Sequence, residues 1–502
     1  MYRLVLFLFL LQSACTGSAE GGLDTDQKPN IVFLFADDLT YEAIGALGNK
    51  IIETPNLDRL VKSGTTFSHA YNMGGWNGAV CTASRAMMIS GRSIWKARDI
   101  SKQWSAKDSS ALNQTWGKLM QAAGYDTYMS GKWHVQAPAG YVFQNVKNIR
   151  GGMPGDHSHK VPGIWNKVRD AYKKNEDLSL IRPTGYFRPI DENDMSWLSY
   201  DTLNGGFWKG GKHWSEVLKD DALEFLAEAS GKDSPFFMYL SFNAPHDPRQ
   251  APRSFLEKYP LDDIPVPENF MEQYPDKDGI GSSPALRDEA LAPFPRTPYA
   301  VKTHIREYYA IISHLDEQIG KILNALEASG KAENTYVFFT GDHGLSVGHH
   351  GLLGKQNMYD HSMRVPLMMV GPGIAKGKVI ESDVYLQDIM ATSLDVADIT
   401  KPDYIDFHSL LSLADDSYDG NYQNGVYGAY IDLQRMIRKE GFKLIVYPKI
   451  QKVKLFNLND DPLEMYDLSG QAAYSEKRNS LLKDLIELQR EMDDPLDLSS
   501  LL

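Results

Sequence analysis

The residues of this chain with the most chemistry in them stand in five short clusters. Cys81-Thr82-Ala83-Ser84-Arg85 heads the apolar run Ala86-Met87-Met88-Ile89. Read as a helix start, it sets Cys81 in the first turn, where free N–H groups and the positive dipole end favour an anionic nucleophile. Arg85 follows four residues later on the same helical face. A thiol and a guanidinium directed at one spot suit attack on an anionic group. The alternative is plain burial, since free cysteine is among the most buried residue types. The other clusters are Asp37-Asp38, Lys132 with His134, His246-Asp247 and Asp342-His343. Asp37, Asp38 and Asp342 offer hard oxygen ligands suited to Ca²⁺ or Mg²⁺. His343 is a poorer match, because imidazole prefers transition metals.

Each of these four clusters follows a stretch that reads as a buried strand. Asn30–Ala36 is a nearly continuous apolar run, as expected of a strand covered on both faces of a parallel sheet, and it ends at Asp37. Asp126–Ser130 leads into Gly131-Lys132-Trp133-His134, Pro235–Phe242 into Asn243-Ala244-Pro245-His246-Asp247-Pro248, and Thr335–Phe339 into Thr340-Gly341-Asp342-His343-Gly344. In open α/β sheets, ligands bind at the carboxyl ends of the strands. One such cluster alone could be a turn or a solvated surface. Four at one edge, with a cysteine at a helix head, point to a site.

Helical patterns alternate with these strands. Thr54 reads as a cap with Pro55 at the first helical position and Gly64 at the end, and Thr65–Asn72 follows as a strand. Ala111–Ala123, Trp214–Glu228 and Val301–Leu326 are further helical patterns. The order predicts an α/β fold over residues 28–405: a doubly wound mixed sheet flanked by helices. From Asp406 the texture changes. Val426–Tyr430, Lys443–Tyr447 and Lys454–Asn457 read as short strands, and Glu476–Met492 as a charged amphipathic helix. Residues 406–502 are therefore expected to form a smaller antiparallel sheet closed by a helix. Residues 135–212 and 249–298 are rich in Gly, Pro, Asn and Asp, and read as long surface loops, where binding specificity often resides. Trp76, Trp95, Trp165, Trp197 and Trp208 fall in loop regions, where each either packs or stacks on a sugar ring.

From about Pro29 to Leu468 the chain resembles the type I sulfatases of the alkaline-phosphatase superfamily. Their signature is Cys-x-Pro/Ala-x-Arg followed by a Gly-Arg, here Cys81 to Arg85 and Gly91-Arg92, with Ala83 where most members have Pro. Gly131-Lys132-Trp133-His134, Ala244-Pro245-His246-Asp247-Pro248, Gly341-Asp342-His343 and Gly351-Leu352-Leu353-Gly354-Lys355 follow in the family's order. Leu455 to Leu468 looks like the signature of the family's C-terminal subdomain. The resemblance implies that Cys81 is oxidised to formylglycine by a formylglycine-generating or anaerobic sulfatase-maturing enzyme. It implies one Ca²⁺ held by Asp37, Asp38, Asp342 and residue 81, with His343 at a position the family fills with Asn, Gln or His. Lys132 and Lys355 would hold the sulfate oxygens, Arg85 and His134 would position and activate the nucleophile, and His246 would protonate the leaving oxygen. His343 and Lys355 bring the chain closer to the iduronate-2-sulfatase-like bacterial polysaccharide sulfatases than to simple arylsulfatases.

The expected activity is sulfuric ester hydrolysis on a sulfated carbohydrate. Candidates are a polysaccharide or its oligosaccharides, algal such as ulvan or carrageenan, or a glycosaminoglycan. One alternative is a phosphodiester or phosphonate monoester hydrolase of the same superfamily. Another is a glycan-binding lipoprotein in which Cys81 is never converted.

Composition agrees with an enzyme of this size. The 502 residues are 42% hydrophobic and 23% charged, without repeats or low-complexity tracts. A net charge of −13 argues against a nucleic-acid partner. An anionic polymer would need a local basic pocket to bind against that field. Arg3, the apolar run Leu4–Leu11 and the small residues after it read as an export signal over residues 1–19, too short to span a bilayer. Cleavage could follow Gly17-Ser18-Ala19. Alternatively, Leu11-Gln12-Ser13-Ala14-Cys15 is a loose lipobox, with Cys15 as a lipid anchor. Either way the chain is expected outside the cytoplasm: in the periplasm, on the cell surface or secreted. Cys15 and Cys81 are the two cysteines, so a structural disulfide and a cysteine-rich zinc site are not expected.

Overall fold

The computed structural model describes residues 27–152, 163–202, 208–415 and 422–501. The export segment and Cys15 lie outside the described residues.

The central strand is β1 (Asn30–Ala36), buried at every position. Its side chains alternate between two cores, Ile31, Phe33 and Phe35 entering one and Val32, Leu34 and Ala36 the other. That alternation is why the run needed apolar residues without a break. The remaining strands, in chain order, are β2 (Thr65–Tyr71), β3 (Gly74–Gly75), β4 (Asp126–Lys132), β5 (Asn145–Arg150), β6 (Trp208–Lys209), β7 (Lys212–His213) and β8 (Phe236–Ser241). They continue with β9 (Thr335–Gly341), β10 (Arg364–Val365), β11 (Leu367–Val370), β12 (Lys378–Tyr385), β13 (Val426–Tyr430), β14 (Gln434–Lys439), β15 (Phe442–Tyr447) and β16 (Lys452–Asn457).

The main sheet runs β10-β2-β11-β9-β1-β8-β4-β5, with β12 also paired to β2. From β9 to β5 five neighbours are parallel, while β11 is antiparallel to both β9 and β2. The register makes the parallel strands end together: Ala36 stands opposite Gly341, Phe35 opposite Ser241, and Gly131 opposite Ser241. Helices cover both faces, so the fold is the doubly wound α/β arrangement expected from the strand–helix alternation.

The helix α1 (Pro55–Ser63) starts at Pro55, but Thr54 does not cap it. The Thr54 hydroxyl accepts the Gly45 N–H and bonds Asp58, while the Asn56 and Leu57 N–H groups go to the Asp316 carboxylate at 3.0 and 2.7 Å. Asp316 sits in the long helix Pro298–Ala328, so the cap comes from packing rather than from the local sequence.

Residues 135–212 are not all loop. They contain β5, the ten-residue helix Ile164–Lys173 and the ribbon β6–β7. β5 is the edge strand of the sheet and is half-exposed along its length, so it carries no apolar run. The helix buries Val168 and Ala171, too few residues to print a period on the sequence.

A second sheet, β16-β15-β14-β13-β3, is antiparallel through β13 to β16 and closed by the helix Ser475–Glu491. β14 escaped the sequence reading because it is buried yet carries Arg435 and Arg438, each paired with a carboxylate, Asp494 and Asp383 respectively. β3 joins this sheet parallel to β13 immediately before α2 (Val80–Ser90). Gly74 permits that contact: its φ is +86°, and a Cβ there would lie 2.0 Å from the Ala429 carbonyl oxygen.

Candidate active site

α2 is buried along its whole length, and Cys81 is its second residue. The Cys81 Sγ lies 3.1 Å from Lys355 Nζ, 3.4 Å from His343 Nε2 and 3.9 Å from Asp38 Oδ1. Burial pushes the thiol up, but Lys132, Lys355 and His343 outweigh it and hold it well below the ordinary cysteine range. Cys81 is unbridged. The thiol thus sits among Lys355, His343 and Asp38 rather than packed as an inert core thiol.

Arg85 does something different from what its spacing suggested. Its hydrogen bonds go to the strand ends: Nε to Asp342 Oδ2 at 2.9 Å, and Nη1 to the Lys132 carbonyl at 3.0 Å and to Ser241 Oγ at 2.5 Å. Its guanidinium also stacks over Phe35, 4.7 Å from the ring centre. One side chain therefore joins the ends of β9, β4, β8 and β1. Asp342 is held further from behind, its carbonyl accepting from Ser84 Oγ at 2.7 Å and from the Asn72 side chain. Burial raises the Asp342 carboxyl, and His343 and Arg85 pull it far below the usual carboxylate range.

The cations interleave with the acids. Lys132 Nζ donates to Asp37, and Lys355 Nζ donates to both oxygens of Asp38 at 2.7 and 2.8 Å. The Asp38 carboxylate also stands 3.1 Å from His343 Nε2 and 3.8 Å from His246 Nε2. Asp38 and His134 both hold left-handed backbone, at φ +67° and +54°, a conformation non-glycine residues adopt at some cost. His134 Nε2 shares a hydrogen bond with Thr82 Oγ1 at 3.0 Å, and burial holds this imidazole below its ordinary value. His246 Nδ1 donates to the Asp247 carbonyl at 2.7 Å, which leaves Nε2 free to exchange a proton. A cavity of about 430 Å³ opens onto Cys81, His134, His246 and Lys355. That volume lies within the roughly 300–1,000 Å³ range of small-molecule sites.

All ten residues singled out in the sequence thus gather at one edge of the sheet. Ligand atoms of Asp37, Asp38, Cys81 and His343 lie within 4.8 Å of one another, and Asp342 adjoins them, its Oδ1 3.6 Å from His343 Nε2. These residues fit a hard divalent cation. Asp37 Oδ1 is buried without a hydrogen-bond partner, and burial with the neighbouring Asp342 pushes the Asp37 carboxyl well above its ordinary range. Crowded carboxylates with a spare oxygen are what such an ion relieves.

Other positions were not legible in the sequence. Leu353 and Gly354 donate their N–H groups to the two oxygens of Glu289, at 3.0 and 2.9 Å, and Glu289 is in turn paired with Arg296. This buried carboxylate fixes the loop that delivers Lys355, yet it sits in the pattern-free stretch 249–298. Gly152 lies against His134: a Cβ there would stand 2.3 Å from the ring. Of the five tryptophans expected in loops, Trp95 and Trp165 stand in helices and Trp208 in β6; Trp165 lines the cavity, whereas Trp95 and Trp197 are buried in packing.

Comparison with known proteins gives a consistent picture. The family model described as Sulfatase matches residues 29–399, and the model described as N-sulphoglucosamine sulphohydrolase, C-terminal, matches residues 348–491. The chain is 29% identical over 476 residues to an arylsulfatase of Clostridium perfringens, covering 92% of this chain and 94% of that one. It is 25% identical over 566 residues to the N-acetylglucosamine-6-O-sulfatase of Bacteroides thetaiotaomicron, covering 97% and 91%. A solved structure of a protein in complex with its substrate D-glucosamine-2-N,6-O-disulfate superposes with a TM-score of 0.69 at 23% identity, covering 93% of this chain and 99% of that one.

Proposed function

This chain belongs to the sulfatase family and is a sulfuric ester hydrolase, and from that premise we propose that it removes sulfate from a sulfated carbohydrate with residue 81 as nucleophile. The observation that carries the reading is the setting of Cys81: at a helix head, within 3.1 Å of Lys355 and 3.4 Å of His343, and open to a cavity that His134 and His246 also line.

Converted to formylglycine by a maturation enzyme, residue 81 would supply a hydrated-aldehyde oxygen as the attacking group. Asp37, Asp38, Asp342 and residue 81, with His343 beside them, would hold a Ca²⁺ ion, which would lower the pKa of the attacking hydroxyl and neutralise charge on the bound sulfate. The chain's own groups do the rest. Lys132 and Lys355 place positive charge where sulfate oxygens gain charge as the S–O bond breaks. Burial lowers the local dielectric and strengthens both contacts. His134, fixed by Thr82, faces residue 81 from the cavity side and orients the nucleophile. Arg85 acts through Asp342 and Asp37, which makes it a positioning residue. His246, with Nδ1 committed to the Asp247 carbonyl, presents Nε2 to the departing oxygen.

The substrate is a polysaccharide or its oligosaccharides, ulvan and glycosaminoglycan being the two classes to compare. The relative named for N-acetylglucosamine-6-O-sulfate chemistry supports the second. The leader-like residues 1–19 support export to the periplasm or cell surface, with Cys15 as a candidate lipid site.

Measuring sulfate released from a panel of sulfated oligosaccharides tests the reading, with matched phosphodiester and phosphonate substrates beside them. Mass spectrometry of the peptide containing residue 81 and metal analysis of the same preparation complete it. Faster turnover of the phosphorus substrates, fully active protein with only free thiol, or stoichiometric zinc without calcium or magnesium would each overturn its part.

A further inference from the structure

Among the described residues, Arg169 is the cation lining the cavity above Cys81 that has no carboxylate partner. Arg287 and Lys355 line it too, but both are committed to carboxylates: Arg287 to Asp247 and Asp288, Lys355 to Asp38. Asp288 is satisfied as well, taking Gln356 Nε2 at 2.7 Å. Arg169 is exposed, its hydrogen bond goes to the neutral Asn166 side chain, and among the described residues it has no acidic partner.

Arg169 does not stand alone. It lies one turn after Trp165 in the helix Ile164–Lys173, which buries Val168 and Ala171, with Trp165 packed at the edge of the Val168 cluster. Residues i and i+4 share a face, and both Trp165 and Arg169 line the cavity. The Trp165 indole is held edge-on against Tyr186, ring centres 5.0 Å apart at 80°. A fixed indole beside an unpaired guanidinium is a platform for a sugar ring next to an anion.

We propose that Trp165 and Arg169 form a subsite selecting glycans that carry a second oxyanion, a carboxylate or another sulfate, near the sulfate ester to be cleaved. This rests on the sulfatase reading and narrows it. It also places one positive charge without an acidic partner at the rim through which a chain of net charge −13 would receive an anionic polymer.

The test uses three substrates in each series: a monosulfated N-acetylhexosamine, the same unit linked to a uronate, and the same unit bearing a second sulfate. Series are run for each ring position of the cleaved sulfate, with 4-methylumbelliferyl sulfate as reference. The mature wild type is expected to prefer a doubly anionic member by tenfold or more in kcat/KM, and which one it prefers identifies the oxyanion. Arg169→Gln removes that preference mainly through KM, losing at least tenfold more on the doubly anionic member than on its monosulfated counterpart. Arg169→Lys restores part of it. Trp165→Ala lowers all members of a series alike. The proposal is overturned by equal preference in the wild type, by a preference that survives Arg169→Gln, or by turnover of the reference with every glycan inert. A mature wild type inert on the reference and the glycans alike would instead sink the sulfatase reading itself.

Discussion

Arg85 and Asp342 meet at 2.9 Å with no solvent-exposed surface on either side chain. The pair does not neutralise a charge at the surface; it draws four strand ends to one point and leaves Asp342 ionised beside His343. Removing one member of a buried pair typically costs about 3–5 kcal/mol. Arg85→Ala is therefore expected to lower the urea unfolding midpoint by that equivalent and to abolish sulfate release. Ser241→Ala, which removes a single contact of the same guanidinium, should cost about 1.5–3 kcal/mol. An Arg85→Ala protein with the wild-type midpoint would refute the role as a tie.

Gly152 and His134 give a sharper test of geometry. The added Cβ of Gly152→Ala would overlap the imidazole, whose ring carbon and nitrogens are the nearest atoms. His134 must swing away or the 151–152 backbone must move. A misplacement of about 1 Å near reacting groups costs on the order of 10²-fold in rate. Turnover of every sulfate ester is expected to fall by that order, while the unfolding midpoint changes little because no core residue is involved. Unchanged kcat would remove His134 from the site chemistry.

The site was legible where chemistry sits directly after a buried strand. Asn30–Ala36 announces a central strand by its unbroken apolar run, and residues just past the end of such a strand in an α/β sheet lie at the functional edge. Asp37, Asp38, His246, Asp342 and His343 all have this kind of address. Lys355 has a weaker one, since it arrives on a loop well past the end of β9 and was marked by its Gly-x-x-Gly-Lys pattern alone. Glu289, which fixes that loop, has none: its partners Leu353, Gly354 and Arg296 are known only after folding. The same holds for Asp316 as the cap of α1. Long-range partners leave no local signal, and an edge strand such as β5 or a shallow helix such as Ile164–Lys173 leaves a faint one. That helix carries the proposed subsite.

A histidine relay beside the site sets an acid limit on stability. Ser362 Oγ donates to His361 Nδ1 at 3.0 Å, His361 Nε2 lies 3.3 Å from His350 Nδ1, and His350 Nε2 donates to the Glu464 carbonyl at 3.1 Å. This wiring holds with both rings neutral, because a proton added to His350 Nδ1 would face the donating His361 Nε2. Burial and the neighbouring histidines push His361 well down, and burial pushes His350 down to about 4. Both folded values lie below the ordinary histidine value of 6.5. The stability they contribute is therefore complete above about pH 6.5 and is lost as pH falls toward 4. Urea midpoints measured across that window should decline in the wild type and decline less in His350→Asn. Asn tolerates the left-handed backbone at this position, where φ is +55°. Parallel declines in the two proteins would place the acid sensitivity elsewhere.

His246 offers the test that separates proton delivery from sulfate binding. A sugar alkoxide is a poor leaving group, so breaking its bond to sulfur requires a proton in the transition state. Such general acid help is typically worth about 10²–10⁴-fold. The 2.7 Å bond from Nδ1 to the Asp247 carbonyl fixes the ring, and Nε2 is the nitrogen left to give that proton. An aryl sulfate departs as a stabilised phenolate and needs far less assistance. His246→Ala is thus expected to reduce kcat/KM for a sulfated sugar by about 10²–10⁴-fold and to reduce it much less for 4-nitrophenyl sulfate. Lys132→Ala and Lys355→Ala remove charge from the sulfate oxygens, which both substrates present, so their losses should match across the two. If His246→Ala also lost equally on both, Nε2 would be a sulfate ligand, and the acid would have to be another group lining the cavity.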